Sequence, residues 1–343
     1  MVRNIKELSL EQLKGVMCSW NEPVFRASQI FSWVYKKGAV YFDEMTNIPL
    51  ELKERLKKEF VLFDLSVIRI CESKDLTKKL LISLGDGELI EAVIIPAAKR
   101  ITGCLSTQVG CSFACRFCAS GMSGFKKNLS YTQILDELSL VKNNALDKKI
   151  SHVVFMGMGE PLDNYDQVLQ AIRVINAEYA FNIAARRITI STCGIIPGIL
   201  RLAEEGLQVE LSISLHAADD TIRSELLPVN KKYPLKDLLA VCRQYISKTN
   251  RQITFEYVLI KDINSDVREA RKLSILVRGL NCKINLILCN EIRELQIAPP
   301  SPQAAQEFKK HLIASGVHVT LRKARGQDID SACGQLRLRY EKK

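Results

Sequence analysis

The chain has 343 residues, 47% hydrophobic and 25% charged, an ordinary globular balance with room for one large α/β domain and a smaller one. Its net charge of +11 is uneven: residues 1–60 carry +2, residues 61–110 are neutral and residues 111–343 carry +9, which favours a nucleic-acid partner without establishing one. No apolar run reaches the roughly 18–20 residues of a membrane span, and the start MVRNIKELSLEQLKGVM lacks the apolar stretch and cleavage site of a signal peptide, so the expected location is the cytoplasm.

The first 60 residues read as helices. Leu8 to Met17, Pro23 to Lys37 and Pro49 to Phe60 have helical apolar spacing, broken by loop signals such as Asn21-Glu22-Pro23. Short strand-like runs follow at Leu65 to Ile70, Lys78 to Ser83 and Leu89 to Ile95, with Gly85-Asp86-Gly87 as a hairpin turn. From about Ile101 strands and helices alternate. Strand CLSTQV (104–109) leads to a cysteine loop and a helix capped by Ser130; HVVFM (152–156) leads to GMGEP and a helix from Tyr165. RITIST (187–192) leads to a helix near Pro197, and VELSISL (209–215) to His216 and more helix. ITFEYVLI (253–260) leads to a helix from Ser265; KINLILC (283–289) leads to Asn290, a Pro-rich loop and helix Pro302 to Ser315; HVTLRKA (318–324) is the last strand.

Six strand-then-helix units imply a parallel sheet, open or curled into a barrel. The cysteine loop, Gly159-Glu160, Ser191, His216 and Asn290 all fall at or just past the C-terminal ends of these strands, the edge that carries active sites in parallel α/β folds.

The loop CSFACRFC places Cys111, Cys115 and Cys118 at C-x3-C-x2-C. At this composition such a fixed pattern arises by chance about 0.01 times. A structural zinc site wants four ligands; a cubane held by three thiolates leaves one iron open. Eleven cysteines, an odd number, argue for a reduced chain rather than a disulfide framework. GMGEP (157–161) offers glycines for close backbone approach and Glu160 for a ligand amine, or else a tight turn with a solvated Glu. In SLHAADD, Ser214 and His216 reach a strand end, where ligand contact suits His216 better than proton transfer. In DIDSACGQL, Cys333 precedes Gly334 on a polar loop, reactive or merely structural. Glu91 sits mid-strand in LIEAVIIP, facing solvent or a site. Cys104 stands seven residues before the cluster, while Cys71, Cys242 and Cys282 carry no motif and read as packing.

Together EPVFRASQIF, DEMTNIP, CLSTQVGCSFACRFCASG, FMGMGEPLDN, SLHAADDTIRSELLPVNKKYP and DIDSACGQL resemble the RlmN/Cfr family of radical S-adenosylmethionine RNA methyltransferases, closest to its RlmN branch. The resemblance spans residues 22 to 336 and implies a partial (β/α)6 radical SAM barrel with a small, mainly helical N-terminal accessory domain. The boundaries expected are 1–63 for an RNA-binding accessory domain, 64–98 for a short β extension and 99–343 for the methyltransferase domain. It implies one [4Fe–4S] cluster on Cys111, Cys115 and Cys118, two S-adenosylmethionine molecules per turnover, and cofactor contacts from Gly159, Glu160, Ser191, Ser214, Leu215, His216 and Asn290.

The implied reaction methylates C2 of an adenosine in 23S rRNA at the peptidyl transferase centre, and the adenosine beside the anticodon of some tRNAs. The first cofactor methylates Cys333. The second, cleaved reductively, gives a 5′-deoxyadenosyl radical that takes a hydrogen from that methyl group, and the methylene radical adds to the base. After loss of an electron and a proton, Cys104 attacks Cys333, releasing the methylated base and leaving a transient disulfide; Glu91 matches the proton acceptor, with Cys104 a second candidate. An electron donor such as flavodoxin or ferredoxin and a monomeric state are expected. Two features depart from the family pattern: the loop EIRELQIAPPS after Asn290, and Cys193, an extra thiol where a small residue is expected. The alternatives are methylation at C8 of the same adenosine, toward which Pro161 and RKARGQDID do not lean, and a non-catalytic iron–sulfur RNA-binding protein.

Overall fold

The structure, a computed structural model, describes residues 3–98, 100–122, 124–289, 297–322, 325–326, 328–329, 337 and 340. Asn290 and Cys333 lie outside the described residues.

The chain opens with β1 (Arg3–Asn4), α1 (Leu10–Ser19), α2 (Phe25–Phe31), α3 (Leu50–Glu59) and β2 (Phe60–Val61). Ser9 and Gln12 form a capping box at the start of α1, and α2 runs on as a π-helical stretch, Ser32–Lys37. This helical module docks on the rest of the protein through a buried cation. Lys6 pairs with Asp136, and its Nζ donates to Leu62 O at 2.7 Å. Tyr131 Oη donates to Lys6 O at 3.1 Å, and Asn143 Nδ2 to Gly38 O at 3.0 Å.

Next come β3 (Leu65–Glu72), β4 (Lys78–Leu84), β5 (Leu89–Ala97) and β6 (Arg100–Cys104). A short hairpin, β7 (Gln108–Gly110) and β8 (Phe125–Asn128), brackets the cysteine loop and a single helical turn, α4 (Ala119–Met122). Then follow α5 (Tyr131–Asn144), β9 (His152–Phe155), α6 (Tyr165–Asn176), β10 (Ile188–Thr192), α7 (Ile196–Glu204), β11 (Glu210–Ser214), α8 (Asp220–Leu226), α9 (Leu235–Thr249), β12 (Ile253–Leu259), α10 (Val267–Leu276), β13 (Cys282–Leu288), α11 (Pro302–Ala314) and β14 (Val319–Leu321).

The main sheet has ten strands in the order β14-β13-β12-β11-β10-β9-β6-β5-β4-β3. From β6 to β14 all neighbours are parallel; β3 to β6 are antiparallel. The sheet ends, β3 and β14, do not pair among the described residues, so this is a partial barrel with a three-stranded antiparallel flank. One expectation needs correction. CLSTQV is not one strand: pairing with β9 ends at Cys104. There the chain turns off the ladder, with Thr107 N donating to Met158 O at 2.8 Å, and restarts at Gln108 against β8.

Alternation along the parallel strands puts small and polar residues on one face. In-register neighbours make two rows, Ser191-Ser212-Thr254-Lys283 and Ser214-Glu256-Asn285-Thr320. The intervening Ile190, Leu211, Ile213, Phe255, Ile284 and Leu286 pack into the main core. A sheet buried on both faces normally reads as continuous apolar strands, so the polar rows mark a concave face kept for a ligand.

Replacing Lys6 with Met should leave Asp136 as an unpaired buried carboxylate. Urea unfolding should show a loss of about 3–5 kcal/mol; an unchanged midpoint would mean that the pair does not anchor the N-terminal module.

Candidate active site

The C-terminal ends of the parallel strands and the cysteine loop enclose a cavity of about 390 Å³, within the roughly 300–1,000 Å³ of small-molecule sites. It is lined by Cys104 from the end of β6, by Cys111, Cys115 and Cys118, by Gly159 and Glu160 after β9, by Ser191 at the end of β10, and by Ser214 and His216 at the end of β11. The structure therefore brings together most of the residues singled out from the sequence. Leu215 instead turns into the hydrophobic core, its amide donating to Glu256 O at 3.0 Å.

Local backbone constraints shape the cysteine loop. Ala114 takes a left-handed φ of 46°, uncommon outside glycine. Cys111 N donates to Gly124 O at 3.0 Å, Arg116 N to Leu226 O at 3.0 Å and Cys118 N to Cys115 O at 3.0 Å. Burial pushes the Cys111 thiol up to about 12 and the Cys115 thiol higher still, helped by the neighbouring thiols and Glu160. Bare thiolates are thus disfavoured here, and a bound metal would hold them deprotonated.

Among the described residues no three His, Cys, Asp or Glu side chains are arranged to hold a single metal ion. Thiolates on a cubane each take a different iron, so three thiols spread around one cavity wall suit a cluster better than a lone ion. Nothing but cysteine supplies the loop with soft ligands, and the donor set fits an iron–sulfur cluster.

In GMGEP the glycines serve the protein's own chain. A Cβ on Gly159, φ +96°, would lie 2.5 Å from Gln108 Cβ, and one on Gly157 would lie 2.5 Å from Leu105 O. Residues 105–108 thus approach these glycines closely, while Gly157 and Gly159 also line the cavity. Gln108 then organises the turn: its Oε1 accepts from Glu160 N at 2.9 Å, while its Nε2 donates to Asn128 Oδ1 at 2.8 Å and Asp163 Oδ2 at 3.0 Å. The Glu160 carboxylate accepts from Leu162 N at 3.0 Å and Cys193 N at 2.7 Å. Burial raises its pKa and these amides oppose the rise; its remaining lone pairs leave room for a ligand amine.

His216 adopts a left-handed φ of 58°. Its Nδ1 accepts from Val258 N at 3.0 Å, which places the neutral ring's proton on Nε2. Burial, then the nearby Arg223 charge, pushes its pKa down to about 3, and Phe117 packs edge-on at 4.7 Å. The ring is a fixed hydrogen-bond donor rather than a proton shuttle at neutral pH.

Glu91 is 2% exposed, and its Oε2 pairs with Lys79 Nζ at 2.7 Å. Its Oε1 accepts from Arg337 N at 2.6 Å. It shares a face of β5 with Val93 and Ile95, both of which line the cavity. The turn before β4 also holds the C-terminal segment. Ser73 Oγ donates to Asp328, Lys74 N donates to Asp328 Oδ2 at 3.1 Å, and Gly326 N donates to Asp75 Oδ2 at 3.2 Å. The antiparallel flank thus grips residues on both sides of DIDSACGQL.

Sequence reasoning passed over Arg223, which is fully buried. It donates to Cys193 O at 2.8 Å, Ser214 O at 3.2 Å, Leu215 O at 3.2 Å and Asn230 Oδ1 at 2.7 Å. It lies inside the quoted SLHAADDTIRSELLPVN, but nothing in helical spacing says that this arginine turns inward. Cys193, the unexpected thiol, lines the cavity and packs in an apolar cluster with Cys289, Leu227 and Ile260.

Two family profiles match the chain: "Ribosomal RNA large subunit methyltransferase N-terminal domain" over residues 3–62 and "Radical SAM superfamily" over residues 105–273. It is 43% identical over 340 residues to a "Probable dual-specificity RNA methyltransferase RlmN" of Clostridium beijerinckii, covering 99% of this chain and 96% of that one. The chain belongs to the RlmN family of radical SAM RNA methyltransferases. An equally named protein of Dictyoglomus turgidum is 43% identical over 99% of this chain and 98% of its own. The crystal structure of a radical SAM methyltransferase from Sphaerobacter thermophilus superposes with a TM-score of 0.93 at 39% identity, covering 97% of this chain and 98% of that one. As an RlmN-family member the chain uses a [4Fe–4S] cluster and S-adenosylmethionine, two molecules of the latter per cycle. No helix among the described residues is long and apolar enough to cross a membrane.

Arg223→Lys keeps a charge but cannot reach four acceptors on separate sides. At least one buried carbonyl is left unpaired, so the urea midpoint should fall by an amount equal to about 1–3 kcal/mol, and S-adenosylmethionine binding by calorimetry should weaken with it. Wild-type values for both would show that the strand ends hold their shape without it.

Proposed function

We propose that this chain methylates C2 of an adenosine in 23S rRNA at the peptidyl transferase centre, and the adenosine beside the anticodon of some tRNAs. The observation that supports this most is the position of Cys104. It is a buried cysteine on the wall of the cavity that the cluster-loop cysteines also line, where a resolving thiol is needed. The dual specificity in the names of the relatives, probable dual-specificity RNA methyltransferases, supports two RNA classes.

C2 of adenine lies between two ring nitrogens and is too electron-poor to attack an electrophilic methyl group, whereas a carbon radical adds to it. When bound, the cluster and the cofactor supply the methyl group and the one-electron chemistry that makes it a carbon radical. The chain's own residues do the rest. Cys111, Cys115 and Cys118 hold the cluster. Gly159, Glu160, Ser191, Ser214, His216 and Asn290 contact the cofactor, with Leu215 acting only through its main chain. His216 donates from Nε2, because its Nδ1 is already taken by Val258 N. Cys333 carries the methyl group and Cys104 releases the product by forming a transient disulfide with it.

Glu91 takes the proton lost from the base. Its buried carboxylate pairs with Lys79, and Cys104 is the other candidate acceptor. The antiparallel flank serves this step by holding residues 326, 328 and 337. Residues 1–63 act as the accessory RNA-binding domain, residues 64–98 as the β extension and residues 99–343 as the methyltransferase domain. The enzyme works as a cytoplasmic monomer fed by a flavodoxin- or ferredoxin-type donor.

Cys104→Ala should accumulate a covalent protein–RNA adduct, visible as a shifted band that survives denaturation, because the methylene bridge forms but is not resolved. Normal turnover by that variant would remove the two-thiol mechanism. Cys333→Ala should abolish methylation with iron content unchanged. Nucleoside mass spectrometry of 23S rRNA fragments should give 2-methyladenosine, whereas 8-methyladenosine would move the chain to the sister activity.

A further inference from the structure

Glu256 belongs to no motif considered so far. It sits mid-strand on β12, 5% exposed, and lines the cavity. A carboxylate buried to this degree normally has its oxygens paired. Here Oε1 accepts from Asn285 Nδ2 at 3.1 Å, while Oε2 has no hydrogen-bond partner among the described residues. The side chain is built into its position. Thr320 Oγ1 donates to Asn285 Oδ1, which fixes the amide so that its NH2 end points at Glu256. The relay follows the in-register row Ser214-Glu256-Asn285-Thr320 across β11 to β14.

Arg322 and Arg325, further along the same edge, also line the cavity. Burial raises the Glu256 pKa, and the Asn285 amide, the Arg322 charge and the nearby Ser212 hydroxyl oppose that rise, favouring the acceptor form.

We propose that Glu256 is a ligand-binding residue of this cavity, its free oxygen accepting a hydrogen bond from the hydroxyl or amine of an adenosine group. The neighbouring position in its row is Ser214, one of the residues assigned to the cofactor, so the ligand's nucleoside is within reach of both. A buried carboxylate oxygen left without a donor costs stability in the empty protein, and a ligand donor removes that cost. Thr320 and Asn285 are positioning residues, since they act only by orienting Glu256. The adenosine group is the cofactor's or the target nucleotide's. The second source rests on the proposed RNA substrate; the first does not.

The test uses the full chain with its cluster reconstituted without oxygen. Glu256→Gln and Glu256→Ala are compared with wild type for binding of S-adenosylmethionine and S-adenosylhomocysteine by calorimetry, and of a 23S rRNA hairpin by fluorescence anisotropy. Loss of a hydrogen bond to a charged group predicts a weakening of about tenfold or more. Weakening of the two small ligands with hairpin binding unchanged assigns the cofactor's nucleoside; the reverse assigns the target nucleotide; weakening of both also supports the proposal. Binding of all three within twofold of wild type overturns it. Thr320→Val guards against a folding defect: it keeps the carboxylate but frees the amide, and should weaken the same ligand by a smaller factor with an unchanged melting temperature. If Glu256 variants fail to fold and Thr320→Val binds all three ligands normally, Glu256 is structural and the proposal fails. None of these readouts needs a methylated product, so a wrong RNA assignment would leave the cofactor arm intact.

Discussion

One buried guanidinium holds the strand ends on which the site is built. Arg223 reaches from α8 under the edge of the sheet and takes the carbonyls of Cys193, Ser214 and Leu215, which follow or end β10 and β11. These carbonyls have left the parallel ladder and would otherwise be buried without donors. Satisfying them from below lets the other face of the same residues turn to the cavity. Cys193 N is free to hold Glu160, and the chain after Ser214 can take the left-handed turn at His216. Arginine suits this place because its planar fork serves several acceptors and keeps its charge.

Around that point the protein separates two jobs. The parallel strands from β6 to β14 supply the cavity, with apolar residues facing the helices and a polar row facing the ligand. The antiparallel flank from β3 to β5 supplies the walls and the grip on the C-terminal segment, through Ser73, Lys74, Asp75 and Glu91. One buried ion pair, Lys6–Asp136, fastens the N-terminal helices to the rest, and a second, Lys79–Glu91, ties β4 to β5 within the flank. Such pairs contribute little net stability but tolerate no mismatch, so they fix orientation.

Much of this was legible in the sequence. The alternation of strands and helices from Ile101 onward gave the parallel sheet, and the positions of Cys111, Glu160, Ser191 and His216 just past strand ends gave the edge that carries the site. What stayed hidden has physical causes. CLSTQV read as one strand because hydrophobic alternation continues through Leu105 and Val109, although the ladder stops at Cys104; backbone partners such as Met158 O are set by tertiary contact. Arg223 carries no local signal, because its acceptors Cys193 O, Ser214 O and Leu215 O come from strand ends that only the tertiary fold brings to it. Glu256 had a signal, a carboxylate in a mostly apolar strand buried on both faces, but its setting depends on neighbours from β13 and β14 that are distant in sequence. The glycines of GMGEP line the cavity and also admit residues 105–108 at close range, a contact set by tertiary packing that no local pattern shows.

The account rests on the three thiols of the cysteine loop sharing one cavity with the cofactor residues at the strand ends. Electron paramagnetic resonance of the reconstituted, dithionite-reduced protein tests this directly. The account predicts a [4Fe–4S]⁺ signal whose g-values shift when S-adenosylmethionine is added, and which is lost in Cys115→Ala. A cluster signal indifferent to the cofactor, or one that persists without Cys115, would contradict it.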